Sequence, residues 1–303
     1  MFEFLTSPNY PAAAVGIEND EVAAVSLDRK NGTYSIRQAA AVPLAAGVLE
    51  PKFLERNLLD ADEFARALGE AVTMAGLLGQ KRWSAALPGS SARTTILTLD
   101  AEPASKKEAE EILDWKAEQA FGAPAAEMRI ARRRIAADRE GRSRFFVTGV
   151  RLEVIDEYET VFERFGWKTG LILPRPVSEA NWLVRSTSLG DSLLLSGQAD
   201  GFTALLLHRG EPAVVRSVTC PANEAGDEIY RLLMFYHDRF GGVLDRILVI
   251  GDDLEKAGIS EIAGEAFGQP VSLMRPSDVG LSLEGTGMSF ATIAAPAGLA
   301  ALS

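Results

Sequence analysis

The chain has 303 residues, of which 31 are Lys or Arg and 42 are Asp or Glu, giving a net charge of −11. This length suits one large two-lobed domain or two packed domains with a sizeable core. An acidic chain repels polyanions as a whole, so we expect no general binding of nucleic acid. With one cysteine, Cys220, and two histidines, the sequence predicts neither an intrachain disulfide nor a metal site built from soft ligands.

The sequence offers no obvious segment for membrane insertion. No stretch approaches the roughly 20 apolar residues that a spanning helix needs. The start of the chain lacks the positive charge and the apolar core of a signal peptide. These features favour a soluble protein of a reducing, cytoplasmic compartment.

The first elements in chain order are three strands, a helix and a fourth strand. Residues 14–27 are rich in small and β-branched residues around an acidic turn, and residues 33–42 follow the turn signal Lys-Asn-Gly. Apolar residues at helical spacing predict a helix over residues 62–77, begun by an aspartate cap. Residues 83–87 form the next predicted strand, which ends at a Pro-Gly pair.

An inserted segment follows before the first lobe continues. It contains a strand over residues 94–99, a helix over residues 105–121 and a basic strand over residues 128–136. Ser105 and Glu108 have the spacing of a capping box at the start of that helix. The insertion therefore has secondary structure of its own and predicts a small subdomain.

The chain then returns to the first lobe and reaches a proline-rich junction. A strand, a helix and a strand are predicted over residues 145–150, 154–165 and 168–173. Pro174 and Pro176 come directly after them, and we interpret this pair as the hinge into a second lobe.

The opening order of three strands, a helix and a strand occurs again in the last third of the chain. The repeated elements are predicted over residues 192–195, 203–207, 213–218, 225–240 and 246–250. Such repetition indicates internal duplication, and it predicts two similar α/β lobes with a cleft between them. The predicted limits are 1–174 for the first lobe, about 90–144 for the subdomain inserted in it, and 175–303 for the second lobe.

Two such lobes, with an insertion in the first, resemble the actin and Hsp70-like ATPase fold, an α/β fold made of a duplicated RNase H-like unit. The run over residues 86–128 is similar to the PilM family of type IV pilus assembly proteins. In that family an Ala-Leu-Pro-x-Ser strand end precedes an arginine-containing strand and a helix with a Trp-x-Ala-Glu-Gln core. The matching residues are Ala86, Leu87, Pro88, Ser90, Arg93, Trp115, Ala117, Glu118, Gln119, Pro124 and Glu127.

The resemblance implies a scaffold of an inner-membrane assembly platform, held at the membrane by its partners. A PilM-like protein is expected to capture the N-terminal cytoplasmic tail of a PilN-like membrane protein beside the inserted subdomain, as an extended peptide. By position, the candidate peptide-binding residues are Leu87, Pro88, Ser90, Arg93 and Trp115. The helical spacing of Trp115 with Ile112 favours a place in the core of the subdomain.

The resemblance also locates three turns that would contact a nucleotide, and all three depart from the ATP-binding pattern. Glu18 and Ala23 stand where ATP-binding members have an aspartate and a lysine. Ser196, Gly197 and Gln198 replace an Asp-Ile-Gly turn. The remaining positions of these degenerate turns are Asn19, Asp20, Gly251, Asp252 and Asp253.

Acidic residues at these turns disfavour a triphosphate. A carboxylate a few ångströms from a phosphate costs about 1–4 kcal/mol, depending on the effective dielectric constant. We therefore expect no ATPase activity and no bound cofactor. The acidic side chains of the first turn are expected to be solvated or to cap backbone amides.

Other interpretations stay open. Magnesium bridging Glu18, Asp20 and phosphate would support a working ATPase or small-molecule kinase that binds ATP. A GspL-like protein of type II secretion or an FtsA-like divisome protein would share the fold, although the alanine-rich C-terminal segment lacks the cationic face of a membrane helix.

A basic segment stands out in this acidic chain. Its arginines include Arg132, Arg133, Arg134 and Arg142. They are candidates for contact with anionic lipid, to which each adds about 1 kcal/mol near the surface, or with an acidic partner. The alternative is a solvated strand face paired with glutamates. Self-association into a homo-oligomer is also open.

Overall fold

The computed structural model describes residues 10–185, 190–242 and 244–303. The first lobe and its insertion contain β1 (Ala13–Ile17), β2 (Glu21–Lys30), β3 (Thr33–Pro43), α1 (Ala61–Met74), β4 (Arg82–Leu87), β5 (Arg93–Thr98), α2 (Lys106–Phe121), β6 (Met128–Ile135), β7 (Arg144–Arg151), α3 (Leu152–Arg164) and β8 (Lys168–Pro174). The rest contains α4 (Arg175–Arg185), β9 (Ser192–Gln198), β10 (Gly201–His208), β11 (Glu211–Thr219), α5 (Ala225–Phe240), β12 (Arg246–Ile250), α6 (Asp252–Lys256), α7 (Ile259–Phe267), β13 (Ser272–Leu273), β14 (Leu281–Ser282) and α8 (Phe290–Ala300).

The two main sheets share a five-strand order, to which the first sheet adds β14 at one edge. The first sheet runs β14-β3-β2-β1-β4-β8 and the second runs β11-β10-β9-β12-β13. In each sheet, the first three strands along the chain pair antiparallel, each with the next. The first of the three, β1 or β9, also pairs in parallel with the strand that follows the helix. The predicted duplication and the two-lobed actin-like fold are therefore confirmed.

Helices cover the outer face of each sheet and bury its apolar side chains. Helix α1 turns Phe64, Leu68 and Val72 into the first core, and the side chain of Asp60 caps it by accepting hydrogen bonds from two backbone amides. Helix α5 plays the same part in the second lobe through Ile229 and its apolar neighbours. The 3.6-residue spacing seen in the sequence corresponds to these buried faces.

The insertion is a three-stranded sheet, ordered β5-β7-β6, with α2 packed against it. Ser105 caps α2 by accepting a hydrogen bond from the Glu108 amide at 3.1 Å. The first lobe contributes Phe53, which packs edge-on to Phe121 in this small core. Trp115 was expected in that core, but it is 58% exposed, because Leu113 and Ala117 form the inward face of α2.

The junction between the lobes is a helix, which the sequence analysis missed. Helix α4 begins at Arg175, directly after β8, and Pro176 lies in its first turn. The missing amide hydrogen of proline costs nothing there, because the first amides of a helix have no intrahelical partner. Pro174 is therefore the last residue of β8 and Pro176 lies in the first turn of a helix, at the junction where the sequence predicted a hinge.

Helices α4 and α8 pack against each other between the two sheets. The indole Nε1 of Trp182 donates to the carbonyl oxygen of Ala294 at 2.8 Å. Buried residues of both sheets and both helices form one apolar cluster here, with Val25 from the first sheet and Leu194 from the second. Within the described ranges, no helix has the length and apolarity needed to cross a membrane.

The last part of the chain returns to the first sheet. Strand β14 pairs with β3, and α8 lies against β1 and β2. A Cβ added at Gly16 of β1 would come within 2.8 Å of the Pro296 ring in α8. The sequence assigned this C-terminal segment to the second lobe, but the segment also completes the first lobe. The lobe limits given by the sequence stay a prediction.

The close approach of α4 and α8 gives a stability test. A Cβ at Gly298 of α8 would clash with the carbonyl oxygen of Ser178 in α4. We expect Gly298→Ala to lower the free energy of unfolding by about 1–3 kcal/mol, measured by chemical denaturation. Gly264→Ala is the matched control, because that helical glycine has open space around it. The control should be neutral or stabilising by about 0.5–1 kcal/mol, and equal losses in both variants would contradict the packing argument.

Candidate functional site

A cleft of about 620 Å³ lies between the lobes, where the turns of the two sheets face each other. Its walls are the β1–β2 turn, the β9–β10 turn, the residues after β12 and the first turn of α8. The predicted positions that line it are Glu18, Asn19, Asp20, Gly197, Gln198, Gly251, Asp252 and Asp253. Ala23 and Ser196 are buried in β2 and β9 and do not line the cleft.

One buried arginine joins two carboxylates at the base of this cleft. Arg175 Nη1 lies 2.7 Å from Glu18 Oε1, and Arg175 Nε lies 2.6 Å from Glu179 Oε1. Arg175 Nη2 donates to the backbone carbonyl of Ala291 in α8 at 3.1 Å. The three charged side chains range from fully buried to 20% exposed. They tie the first turn of the first lobe to α4 and α8.

The cluster contains one arginine and two glutamates, and burial makes both glutamate carboxyl groups harder to ionise. Burial raises the pKa of Glu18 to about 7, although Arg175 opposes this shift and Glu179 adds to it. Burial likewise raises the pKa of Glu179, against the effect of Arg175 and the neighbouring Ser196 hydroxyl. The two carboxylates together raise the pKa of Arg175 despite its burial, so the guanidinium stays charged.

The expectation of a solvated first turn is wrong for Glu18. Its side chain points inward to Arg175 because an ion pair compensates for the loss of water. Sequence reasoning missed Arg175, although Arg175 and Glu179 are four residues apart, the spacing of a helical ion pair. That signal could be used only once α4 was recognised as a helix.

The rest of the cleft is strongly acidic. Asp20, Asp252 and Asp253 are exposed on its walls, and burial raises the pKa of Glu21, where a hydrogen bond from Thr292 opposes the shift. Five carboxylates thus face the cleft against one arginine. Among the described residues, no group of three or more acidic, histidine or cysteine side chains is placed to hold a metal ion.

The glycines of the second and third turns have a structural role. Gly251 has a φ of 131°, and a Cβ on it would lie 3.1 Å from the Cα of Gly197. The two turns therefore pack backbone to backbone, which side chains would prevent. Beside them, Gln198 donates to Thr203 Oγ1 at 2.6 Å and reaches across to Gly89 of the first lobe.

The candidate peptide-binding residues differ in exposure, and their role stays a prediction. Leu87 and Pro88 are buried, and Ser90 is half-buried in the short turn that follows. The exposed Arg93 stacks over the Phe53 ring at 5.3 Å, and Trp115 lies exposed on α2. None of the five lines the interlobe cleft.

Two of the four candidate basic residues are in ion pairs. Arg132 contacts Asp114, and Arg142 Nε lies 2.6 Å from Asp138. Arg134 donates to Ser143 Oγ at 2.8 Å. Arg133 is exposed on β6. Arg132 and Arg142 are therefore the two candidates whose charge is offset by a carboxylate.

The duplicated sheets around one cleft define an actin-like protein of two lobes, and solved structures share this architecture. A chain of a PilM-PilN type IV pilus biogenesis complex matches with a TM-score of 0.77 and 16% identity, covering 97% of this chain and 98% of that one. The cytoplasmic domain of EpsL, an inner-membrane component of the type II secretion system of Vibrio cholerae, matches with a TM-score of 0.51 and 12% identity, covering 96% and 94%. No protein-family model and no curated protein matches the sequence. At such identities the similarity establishes a common fold.

The raised pKa of Glu18 predicts how stability depends on pH. Between its usual value of 4.5 and about 7, the folded protein keeps a proton that the unfolded chain has lost. Glu18 therefore lowers stability as pH rises through this range, by about 3 kcal/mol at most. Glu18→Gln should flatten the decline between about pH 5 and pH 7.5, measured by denaturant unfolding.

The control for this test is Glu111→Gln, an identical change at an exposed position of α2. It should leave the pH dependence as it is in the unmodified protein. If Glu18→Gln also leaves the slope unchanged, the buried acid does not titrate in this range.

Proposed function

We propose that this protein is a scaffold of a type IV pilus or related secretion platform at the inner membrane, and that it binds the cytoplasmic tail of a PilN-like membrane protein. The observation that carries the proposal is the match over almost the full length of both chains to a protein of a PilM-PilN complex. The motif over residues 86–128 supports it independently. In this role the protein works at the cytoplasmic face of the membrane, where its partner is anchored.

The interlobe cleft is proposed to be a degenerate nucleotide site. Phosphate would have to enter beside Glu18, Asp20 and Glu21, each a potential negative charge. The one arginine of the cleft, Arg175, already contacts two carboxylates, so it has little capacity left for phosphate. Repulsion of this kind costs about 1–4 kcal/mol for each carboxylate.

The neighbourhood of Phe53 is the proposed tail-binding region. The loop before α1 is held firmly there: the Asn57 side chain donates to the carbonyls of Lys52 and Glu55 at 2.7 and 2.9 Å, and its oxygen accepts from Ser91. This loop carries Phe53 into the inserted subdomain. An ordered loop beside an inserted sheet suits recognition of an extended peptide, because little conformational entropy is lost on binding.

Binding of the tail is tested with a synthetic peptide of the N-terminal tail of the PilN-like protein encoded beside this one. We expect a dissociation constant in the range of about 1–50 µM by calorimetry. Trp115→Ala and Arg93→Ala should each weaken binding about three- to tenfold, because aromatic and arginine side chains dominate peptide interfaces.

Met74→Ala is the matched control, since Met74 is 63% exposed on α1 and lies outside the inserted subdomain. It should bind the peptide as the unmodified protein does. Absence of binding at about 100 µM peptide would remove the adaptor proposal. An equal loss in all three variants would instead move the tail site away from the subdomain.

Nucleotide binding is tested separately by titration calorimetry with ATP and magnesium. We expect no binding with a dissociation constant below about 1 mM. The double variant Asp20→Asn and Glu21→Gln removes two of the repelling charges and should bind more tightly than the unmodified protein, if either binds. Micromolar binding by the unmodified protein would favour the working ATPase or small-molecule kinase.

A further inference from the structure

A second large groove lies between the inserted subdomain and the second lobe. Its volume is about 880 Å³. It is bounded by the end of β5, the β6–β7 hairpin, the β10–β11 turn and the end of α5. No residue of the interlobe cleft and none of the candidate peptide-binding residues lines it. We call it the arginine groove, because arginines are the main charged residues on its walls.

The arginine groove is positive in an otherwise acidic protein. Five arginines line it against three carboxylates. Arg142 is paired with Asp138 and Glu140, at 2.6 and 3.3 Å. The arginines of the groove are Arg139, Arg142, Arg144, Arg209 and Arg239.

Three of these arginines are exposed and have no carboxylate within ion-pair distance among the described residues. They are Arg139 at the hairpin tip, Arg209 in the β10–β11 turn and Arg239 near the end of α5. Among the arginines of the inserted subdomain outside the groove, Arg129, Arg132 and Arg151 each contact a carboxylate, whereas Arg133 is exposed. The three exposed arginines of the groove come from three separate parts of the chain and lie on the walls of one opening.

Arg144 shows that positive charge is crowded at the floor of the groove. Burial lowers the pKa of Arg144, and nearby Arg239 lowers it further, while Asp138 and Glu211 oppose the shift. Its guanidinium donates to the backbone carbonyls of Pro212 and Ala213, each at 3.2 Å. The arginines of the groove therefore outnumber the carboxylates that could neutralise them.

The backbone of the groove walls is suited to an extended chain. Strands β5 and β11 are the last strands of their sheets, so their outer edges have no strand partner among the described residues. The two strands contact each other, and Thr94 and Val215 both line a small cavity of about 10 Å³. Farther along the same strands, Thr98 and Glu211 line the arginine groove. Unpaired strand edges offer backbone groups to an incoming strand.

The groove lining also has apolar residues, and these favour one class of anionic ligand over the others. Ile96, Pro212 and Phe240 contribute apolar surface between the arginines. A flat bilayer does not enter a groove, and a polynucleotide is repelled by the net charge of the whole protein. A polypeptide combines carboxylates with apolar side chains on an extended backbone.

We propose that the arginine groove binds an acidic, extended segment of a partner protein. The carboxylates of the segment pair with Arg139, Arg209 and Arg239. Its apolar side chains contact the groove floor, and its backbone adds to a strand edge. This site is separate from the proposed tail-binding region, so failure of one proposal would not contradict the other.

The probe for this test is a fluorescein-labelled peptide of five Glu-Val repeats, followed by fluorescence anisotropy with the full chain. We expect binding at tens of micromolar at low salt, weakened severalfold at about 300 mM salt because the charge contacts are partly solvated. A Lys-Val peptide of equal length should not bind. No binding up to about 500 µM of the acidic peptide would overturn the proposal.

Charge reversal locates the site. The double variant Arg209→Glu and Arg239→Glu should weaken binding at least tenfold. The matched control is Lys30→Glu with Arg37→Glu, which alters the net charge equally at two exposed basic residues outside the groove. It should weaken binding less than twofold, and equal losses in the two double variants would mean that overall charge, not the groove, attracts the peptide.

If the double variant Arg209→Glu and Arg239→Glu does not fold, Arg139→Glu tests the same site. Arg139 is exposed at a hairpin tip, so this change should not disturb folding. It should weaken the binding of the acidic peptide two- to fivefold. Two parallel probes are a single-stranded oligothymidylate and vesicles containing phosphatidylserine. Binding of either one in place of the peptide, lost in the groove variants, would overturn the assignment to an acidic protein segment.

Discussion

The packing of α4 against α8 is the constraint on which the rest of the structure depends. The two helices lie between the sheets and approach closely enough that Gly298 has no room for a side chain beside Ser178. Trp182 fixes their register through its hydrogen bond to Ala294. Because α4 directly follows β8 and α8 lies on β1 and β2, this contact holds the two lobes at one spacing. Both the interlobe cleft and the arginine groove exist because that spacing is kept.

Arg175 is brought within reach of Glu18 by the first sheet. The two residues directly follow β8 and β1, which both pair in parallel with β4, so they emerge at the same edge of that sheet. Arg175 also pairs with Glu179 one turn later in α4. Buried ion pairs contribute little net stability, because the desolvation of the charges offsets their attraction. We interpret this cluster as a specificity element, which ties the first turn to the interlobe helices.

Charge is distributed unevenly over the two large openings of the molecule. The interlobe cleft is lined by five carboxylates and one arginine, and the arginine groove by five arginines and three carboxylates. The acidic opening contains the turns that resemble a nucleotide site. The basic opening is formed by the inserted subdomain and the second lobe. In the proposed function the two-lobed frame acts without nucleotide, and its exposed strand edges and charged grooves are available for protein partners.

The sequence by itself determined the secondary structure and the duplication. The spacing of Phe64, Leu68 and Val72 indicated the buried face of α1, and the repeated order of elements indicated two sheets of the same topology. Local patterns decide these features, because the spacing of apolar residues within a short stretch of sequence distinguishes a helix from a strand. Helix α4 escaped recognition because a proline pair indicates a break as readily as a helix start.

The burial of Glu18, the exposure of Trp115 and the existence of the arginine groove were decided by the tertiary structure. Glu18 and Arg175 are far apart in sequence, and the β6–β7 hairpin, the β10–β11 turn and α5 meet only after folding. Whether a charged side chain is solvated, paired or free to bind depends on which distant segments surround it. Local sequence supplies the side chains of a site, and the packing of the lobes supplies the neighbours that give those side chains their chemistry.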